Sequence, residues 1–207
     1  MKTFVYVDSF NLYYGLIKDS PYKWLNIHSM CERLLPKNEI VGIKYFTARV
    51  HPRPDNPEKP VRQMIYLRAL RTLPNFKIIY GHFLSHEVMM PLANPPAKGP
   101  KFARVIRTEE KGSDVNLAVQ LLHDGYRGKY ELAVLITNDS DLLNAIRIVQ
   151  QDLGLKVGLL NPQKYPSKAL LKEALFIHKI RQGVLGASQF PAHMKDAHGT
   201  FEKPATW

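Results

Sequence analysis

Four aspartates stand beside the apolar runs of this chain, in positions from which they could act together. Asp8 ends the run FVYVD, and Asp139 and Asp141 follow the run ELAVLIT in the stretch TNDSD. Asp114 opens the amphipathic stretch that precedes ELAVLIT. Crowded carboxylates repel one another unless a cation neutralises them or some stay protonated. In a chain of net charge +11, a bound divalent ion is the better explanation, and all-oxygen ligands favour Mg²⁺ or Mn²⁺ over zinc.

Helix capping is the alternative explanation for each aspartate taken alone. Aspartate is a favoured cap, and acids in a first helical turn are stabilised by the helix dipole. Capping needs one acid per helix, however, whereas TNDSD supplies two, and Ser9 is available as a cap beside Asp8. An ion held by these carboxylates can present a water for attack on a phosphodiester and stabilise the leaving oxygen. The residues therefore favour a metal-dependent nuclease.

The elements that must position these aspartates alternate between strand and helix patterns. Strands are predicted at 3–7, 39–50, 76–83, 131–137, 155–160 and 175–180. Helices are predicted at 10–18, 25–35, 61–73, 113–126, 140–154 and 167–174. This alternation predicts an α/β protein, a single-domain three-layer α/β/α sandwich with a mainly parallel central sheet. Ligands bind beyond the carboxyl ends of the strands in such a sheet, which is where the aspartates fall.

Other segments carry weaker signals. Residues 85–102 show no clear period and contain four prolines, which argues against a regular element there. Residues 103–110 are predicted as an edge strand, and Ser113 as the N-cap of the helix at 113–126. Residues 183–207 show little periodicity and are predicted as a C-terminal extension packed on a domain formed by 1–182.

The net charge and a pI near 9.7 favour a polyanionic partner, of which nucleic acid is the commonest. The basic residues that flank two proline-rich loops are Arg49, Arg53, Lys59, Arg62, Lys98, Lys101, Arg104 and Arg107. We interpret them as a cradle for RNA, the alternative being a solvated rim. A single cysteine and the lack of a membrane-length apolar segment predict a cytoplasmic protein without a membrane partner.

The residues disfavour three other kinds of site. His82 and His86 are four apart, but they fall where a strand runs into a loop, which disfavours a zinc pair. No glycine-rich phosphate loop follows a strand. A phosphatase with an aspartyl nucleophile ranks last, because Phe10 occupies the place where the common phosphatase motif has a second aspartate.

Three pieces of the chain resemble the NYN domain, LabA-like, of the PIN-like nuclease superfamily. They are VDSFN at 7–11, EEKGSDVNLA at 109–118 and TNDSDL at 137–142, in the family's order. The alternating α/β pattern agrees from residue 3 to about residue 180. The resemblance implies a PIN-like fold and a metal-dependent endoribonuclease acting on RNA with Mg²⁺ or Mn²⁺. A homo-oligomer or a regulatory protein partner is left open.

The resemblance also assigns roles to single residues. Asp8, Asp114 and Asp139 would hold the metal, and Asp141 would complete the catalytic set. The residues implied to position or bind substrate are Asn11, Lys111, Thr137 and Asn138, to which the basic cradle adds Lys101, Arg104 and Arg107. Many relatives have Gly or Ser-Gly where this chain has Thr137-Asn138. That departure keeps a second hypothesis open, an RNA-binding or scaffold protein with the same fold and weak or no catalysis.

Overall fold

A six-stranded sheet forms the centre of the computed structural model, which describes residues 1–52 and 54–207. The first strands along the chain are β1 (Lys2–Asp8), β2 (Glu39–Thr47), β3 (Phe76–Tyr80), β4 (His82–Pro91) and β5 (Phe102–Lys111). They are followed by β6 (Leu132–Ile136), β7 (Lys156–Asn161) and β8 (Ile177–Lys179). The central sheet has the order β3-β2-β1-β6-β7-β8, and each of its neighbouring pairs is parallel. The predicted α/β architecture with a parallel central sheet is confirmed.

Helices cover both faces of this sheet. The helices are α1 (Ser9–Leu12, continued by a π-helix at Tyr13–Ile17), α2 (Ile27–Leu34), α3 (Lys59–Leu70), α4 (Ser113–Tyr126), α5 (Leu143–Arg147), α6 (Lys168–Glu173) and α7 (Gln182–Ala187). Helices α1, α2, α3 and α7 share one core, and α4, α5 and α6 share the other. Successive residues of β1 alternate between the cores: Val5 and Val7 enter the first and Tyr6 the second. Three layers result.

The strand order places a crevice between β1 and β6. These strands are adjacent, yet the chain leaves β1 for the face that carries α1 and leaves β6 for the face that carries α5. The helices therefore diverge from the carboxyl ends of two neighbouring strands, which is the arrangement that opens a ligand site in doubly wound sheets. Asp8 ends β1, and Asp139 lies just beyond β6. The fold thus brings residues more than 120 positions apart to one edge.

The expectation of no regular element in 85–102 is wrong. Strand β4 runs to Pro91 and pairs antiparallel with β5, so the two strands and residues 92–101 form a hairpin that we call the arm. Each strand of the arm has one unpaired edge, where a proline costs no ladder hydrogen bond. The segment 103–110 pairs within the arm rather than at the edge of the central sheet.

The single strand predicted at 76–83 is divided at Gly81. The Gly81 N–H donates to the Thr47 carbonyl at 2.8 Å. A Cβ at this position would lie 2.3 Å from Glu110 Oε1 and 2.5 Å from the Lys111 carbonyl oxygen. Only glycine permits the base of the arm to approach the end of β3 so closely.

Residues 183–207 contain more structure than their pattern indicates. Helix α7 is followed by a hairpin of β9 (His193–Asp196) and β10 (Gly199–Glu202). Leu185, Phe190 and Phe201 join the core beneath α1–α3, and the Trp207 ring lies 5.6 Å from that of Tyr66. Within the described part of the chain, no helix is long and apolar enough to cross a bilayer.

Candidate active site

Asp8 is the last residue of β1, and its carboxylate accepts four hydrogen bonds. Oδ1 accepts from the backbone N–H groups of Phe10 and Asn11 at 3.1 and 3.0 Å, so Asp8, rather than Ser9, caps α1. Oδ2 accepts from the Asn11 side-chain amide at 2.6 Å and from the Thr137 hydroxyl at 3.1 Å. The carboxylate is thus fixed in position by α1 on one side and by the segment after β6 on the other.

Thr137 joins Asp8 to the second aspartate. Its buried hydroxyl donates to Asp8 and accepts from the backbone N–H of Asp139 at 3.1 Å. Asp139 in turn caps a short 3₁₀ turn (Ser140–Leu142) by accepting the Asp141 N–H on Oδ1 at 2.9 Å. Capping and site formation are therefore compatible, because one oxygen of Asp139 caps while its Oδ2 accepts no hydrogen bond from the described residues.

Asn138 fastens the loop after β7 to the same edge of the sheet. Its side chain donates to the Tyr165 carbonyl at 3.1 Å and accepts from the Ser167 N–H at 2.7 Å. Its own backbone N–H donates to the side-chain oxygen of Asn11 at 3.3 Å. The Thr137-Asn138 pair thus serves as a structural bridge between β1, β6 and the loop after β7.

A tight turn brings the third aspartate into the site. Gly112 has φ +93°, a left-handed conformation that favours glycine, and it occupies the N-cap position of α4. The prediction that Ser113 caps this helix is therefore wrong. Glu110 Oε1 takes over the role by accepting from the Ser113 N–H at 3.2 Å and its hydroxyl at 2.8 Å. Asp114 follows in the first turn.

These segments enclose one cavity of about 280 Å³, which we call the acidic cavity. Its carboxylates are Asp8, Glu110, Asp114 and Asp139. The remaining lining residues are Phe10, Asn11, Tyr14 and Phe83. Glu110 was not among the predicted site residues, although it lies within EEKGSDVNLA, one of the pieces that resemble the NYN domain. The aromatic lining residues Phe10, Tyr14 and Phe83 were not predicted either, because nothing in the sequence indicates that they come together.

The carboxylates of the acidic cavity interact electrostatically. Burial, and then the charges of Asp8, Asp139, Glu110 and Asp141, raise the pKa of Asp114 from 3.8 to about 6. Burial also raises the pKa of Asp8, against the lowering effect of its hydrogen bonds to Asn11 and Thr137. Asp141 is exposed and does not line the cavity, yet its charge acts on Asp114. A cation bound near carboxylates that interact in this way would favour their ionised forms.

The predicted basic residues divide between the two faces of the arm. Side chains alternate along a strand, and residues paired in register share a face. Phe83, which lines the acidic cavity, therefore shares a face with Arg104, whereas Arg107 and Lys111 lie on the opposite one. Lys101 is exposed and stands just before β5.

On the face of the arm opposite Phe83, Glu109 forms ion pairs with Arg107 and Lys111. Its carboxylate contacts Arg107 and lies 2.9 Å from Lys111 Nζ, and its pKa is lowered, first by Lys111 and then by Arg107. Among the described residues, the ion-pair partner of Arg104 is Glu87, at the longer distance of 3.5 Å. Arg104 is thus better placed than Arg107 or Lys111 to contact an anion extending from the acidic cavity.

The other predicted cradle residues lie away from the arm or near its tip. Arg49 stacks over the Tyr80 ring at 5.4 Å, and Lys98 is exposed in the loop 92–101. Lys59 and Arg62 belong to α3. Arg53 lies outside the described residues.

The carboxylate oxygens of the acidic cavity are the kind of ligand that a hard cation prefers, but too few of them converge to enclose an ion without water. Among the described residues, no group of three His, Cys, Asp or Glu side chains is arranged to hold one ion together. Mg²⁺ keeps several waters and is commonly bound through one or two carboxylates, so it does not need such a cage. In the described structure the Asp114 carboxylate accepts no hydrogen bond, and Oδ2 of Asp139 is equally open, whereas Asp8 is already saturated. The residues fit a hydrated ion.

Comparisons of sequence and of fold relate this chain to a domain family and to two other proteins. The sequence model of the NYN domain family matches residues 2–180. A 6-hydroxy-3-succinoylpyridine 3-monooxygenase of Pseudomonas putida is 30% identical over 236 aligned positions, which cover 100% of this chain and 75% of that enzyme. A crystal structure of a protein of unknown function from Vibrio parahaemolyticus is similar in fold. Its TM-score is 0.56 at 17% identity, over 87% of this chain and 93% of that one.

Proposed function

The chain belongs to the NYN domain family of PIN-like nucleases, and from this premise we propose that it is a metal-dependent endoribonuclease acting on RNA with Mg²⁺ or Mn²⁺. The observation that supports this most is the acidic cavity at the crevice between β1 and β6. Four carboxylates line it in a chain of net charge +11, and burial, followed by the charges of the neighbouring carboxylates, raises the pKa of Asp114 to about 6. A bound divalent cation would relieve that repulsion.

In this proposal the negative charges of Asp8, Asp114 and Asp139 together retain a hydrated ion in the acidic cavity. Asp114 and Asp139 have open oxygens and supply the direct ligands, whereas Asp8 contributes its charge from a carboxylate that already accepts four hydrogen bonds. When bound, the ion supplies Lewis acidity at the scissile phosphate and an acidified water. Asp141 adds negative charge at the rim.

The neutral residues of the site act by positioning. Asn11 donates twice to Asp8, and Thr137 connects Asp8 with Asp139, so both keep the carboxylates in a fixed arrangement before substrate arrives. Asn138 holds the loop after β7 in the same way. Arg104 on the cavity side of the arm, with Lys101 near its tip, is proposed to contact RNA phosphates that flank the scissile bond.

Two other functions compete with cleavage. The first is RNA binding without catalysis, which stays open because this chain has Thr137-Asn138 where many members of the family that it resembles have Gly or Ser-Gly. The second is oxygenation of a small aromatic acid, which the name of the Pseudomonas putida relative brings into consideration because the similarity covers this whole chain. That chemistry would require dioxygen and a two-electron donor.

The test is RNA cleavage by purified protein with Mg²⁺, with Mn²⁺ and with chelator, comparing wild type with Asp139→Asn. We expect the substitution to lower the cleavage rate by about a hundredfold or more while RNA binding stays near wild type, because the lost interaction acts on the transition state. Asp152→Asn, an exposed aspartate after α5, removes the same charge elsewhere and should cleave normally.

Each competing function has its own signature in that experiment. Wild-type protein that binds RNA but cleaves none with either metal would support the non-catalytic function. Cleavage that persists in chelator would exclude the metal-dependent mechanism. Oxygen uptake with 6-hydroxy-3-succinoylpyridine and a reductant, in the absence of RNA cleavage, would favour oxygenation.

A further inference from the structure

A second cavity, of about 310 Å³, adjoins the acidic cavity. It lies between α1 with its π-helical continuation and α3, near the carboxyl end of β2. Phe10 and Tyr14 line both cavities, so the two spaces are direct neighbours. We call this second space the aromatic pocket, after the six aromatic side chains that line it: Phe10, Tyr13, Tyr14, Tyr45, Tyr66 and Trp207.

Contacts with the protein hold several of these rings in place. The Tyr66 hydroxyl donates to the Leu25 carbonyl at 2.8 Å, and the Trp207 ring packs edge-on to Tyr66 at 5.6 Å. Tyr45 is buried at the end of β2. Aromatic rings prefer offset or edge-to-face contacts with other rings, so a space walled by fixed rings suits a planar aromatic ligand.

The charged side chains that line the aromatic pocket, among the described residues, are all cations. Lys23, Lys59 and Arg62 line it, each half-buried, and no Asp or Glu is found among the described lining residues. Arg62 donates to the Asn56 side-chain oxygen, which orients its guanidinium. A partly desolvated guanidinium binds carboxylate or phosphate through paired hydrogen bonds. The ligand should therefore carry a negative group.

The backbone of the pocket wall is unusual. Helix α1 continues as a π-helix over Tyr13–Ile17, with the Lys18 N–H donating to the Tyr13 carbonyl at 2.8 Å. Tyr13, Tyr14 and Ile17 of this turn all line the aromatic pocket. π-Helical turns are rare and are found disproportionately at functional sites. A second π-helical turn, Ile148–Asp152, lines neither cavity, so the π-helix at Tyr13–Ile17 supports a binding site only together with the size and charge of the pocket.

We propose that the aromatic pocket binds a planar aromatic ring that bears an anionic group, with the ring between the aromatic walls and the anion at Arg62. A volume of about 310 Å³ accommodates a single ring system. Two kinds of molecule have this chemistry. One is a nucleotide of an RNA strand, in which case the pocket holds a base next to the scissile phosphate and the inference rests on the proposed function. The other is a free aromatic acid.

The experiment measures binding of AMP, UMP and 6-hydroxynicotinate to the Asp139→Asn protein in chelator, by calorimetry and tryptophan fluorescence. The chain has two tryptophans, Trp207 in the pocket wall and Trp24 in contact with it at 6.4 Å, so a ligand in the pocket should alter the emission. Cleavage and metal play no part under these conditions. A failure of the nuclease proposal would therefore leave this result unaffected.

Matched variants assign the binding to the pocket. Arg62→Gln and Tyr14→Ala should each weaken binding about tenfold or more, since each removes a charge-assisted contact or a stacking wall. Arg127→Gln and Tyr126→Ala make the same chemical changes at exposed positions at the far end of α4 and should have no effect.

The three probes also distinguish a nucleotide from a free aromatic acid as the ligand of the pocket. Binding of a nucleotide identifies the pocket as a base site, and binding of 6-hydroxynicotinate alone identifies a small-molecule site. The inference is overturned if none of the three probes binds at millimolar concentration, or if binding is as strong in both pocket variants as in their controls.

Discussion

Asp8 shows at the residue scale how a helix cap can also be part of a reactive site. Its four hydrogen bonds satisfy the carboxylate and order α1, yet the residue still lines the acidic cavity. Two of those bonds come from Asn11 and one from Thr137, so both neighbours contribute to the burial and orientation of its charge. Asp114 is the opposite case, because it has no such donors and its pKa is raised to about 6.

The raised pKa of Asp114 makes stability depend on pH. Below pH 3.8 the carboxyl is protonated in both the folded and the unfolded chain and contributes nothing. As the pH rises from 3.8 to about 6, the unfolded chain releases its proton first, so the free energy of unfolding falls. Above that range the whole penalty is present.

We therefore predict that Asp114→Asn stabilises the metal-free protein at neutral pH. The gain should be about 1 kcal/mol, because the Asp114 side chain is only partly withdrawn from solvent, which screens much of the repulsion. Urea unfolding in chelator, on either side of the titration range, measures it. With Mg²⁺ or Mn²⁺ added the order should reverse, because only wild type gains from binding. A gain of equal size below pH 3.8 would show that the effect is not ionic.

At the scale of elements, the register of the arm decides which of its cations can reach substrate. Arg104 shares the face that leads to Phe83 and Glu110 at the acidic cavity, whereas Arg107 lies on the other face and is paired with Glu109. The two arginines are three residues apart on one strand. They therefore form a matched pair for mutation.

We predict that Arg104→Glu weakens RNA binding and reduces the salt dependence of the affinity, whereas Arg107→Glu has a much smaller effect. One lost phosphate contact should reduce the slope of log affinity against log salt by about 0.7 for single-stranded RNA. Titration of each variant with labelled RNA over a range of salt concentrations gives both slopes. Equal losses in the two variants would mean that RNA contacts both faces of the arm, or neither specifically.

At the scale of the whole molecule, residues 183–207 complete a core that the preceding residues leave open. Leu185, Phe190 and Phe201 are buried, and the Trp24 indole N–H donates to the Pro191 carbonyl at 2.8 Å. A bidentate pair of Arg68 with Asp196, at 2.7 Å for each contact, ties the last hairpin to α3.

We predict that a chain ending at residue 182 loses several kcal/mol of stability. Each buried Leu or Phe contributes about 1.5–3 kcal/mol through burial, and removing them exposes the apolar surface that they cover. Thermal and urea unfolding of the truncated and full-length chains provide the measurement. An unchanged midpoint in both would show that the segment is an appendage rather than part of the folding unit.

The alternation of strands and helices, the position of Asp8, Asp139 and Asp141 at strand ends and that of Asp114 at a helix start were evident from the sequence. Those features depend on local hydrophobic period and on the general rule that ligands bind at the carboxyl ends of parallel strands. The arm was not predicted because four prolines suggested a loop. The pairing of β4 with β5 joins residues between 11 positions apart, Pro91 with Phe102, and 29 positions apart, His82 with Lys111, which local pattern does not reveal.

Only the tertiary structure decided how those parts meet. Thr137 bonds to Asp8 across 129 positions, and Glu110 reaches the acidic cavity because Gly112 turns the chain back. The aromatic pocket likewise exists only where α1, α3 and Trp207 come together. Such contacts join residues far apart in the chain, and their geometry follows from packing the layers against one another. Local propensity and spacing carry no information about it.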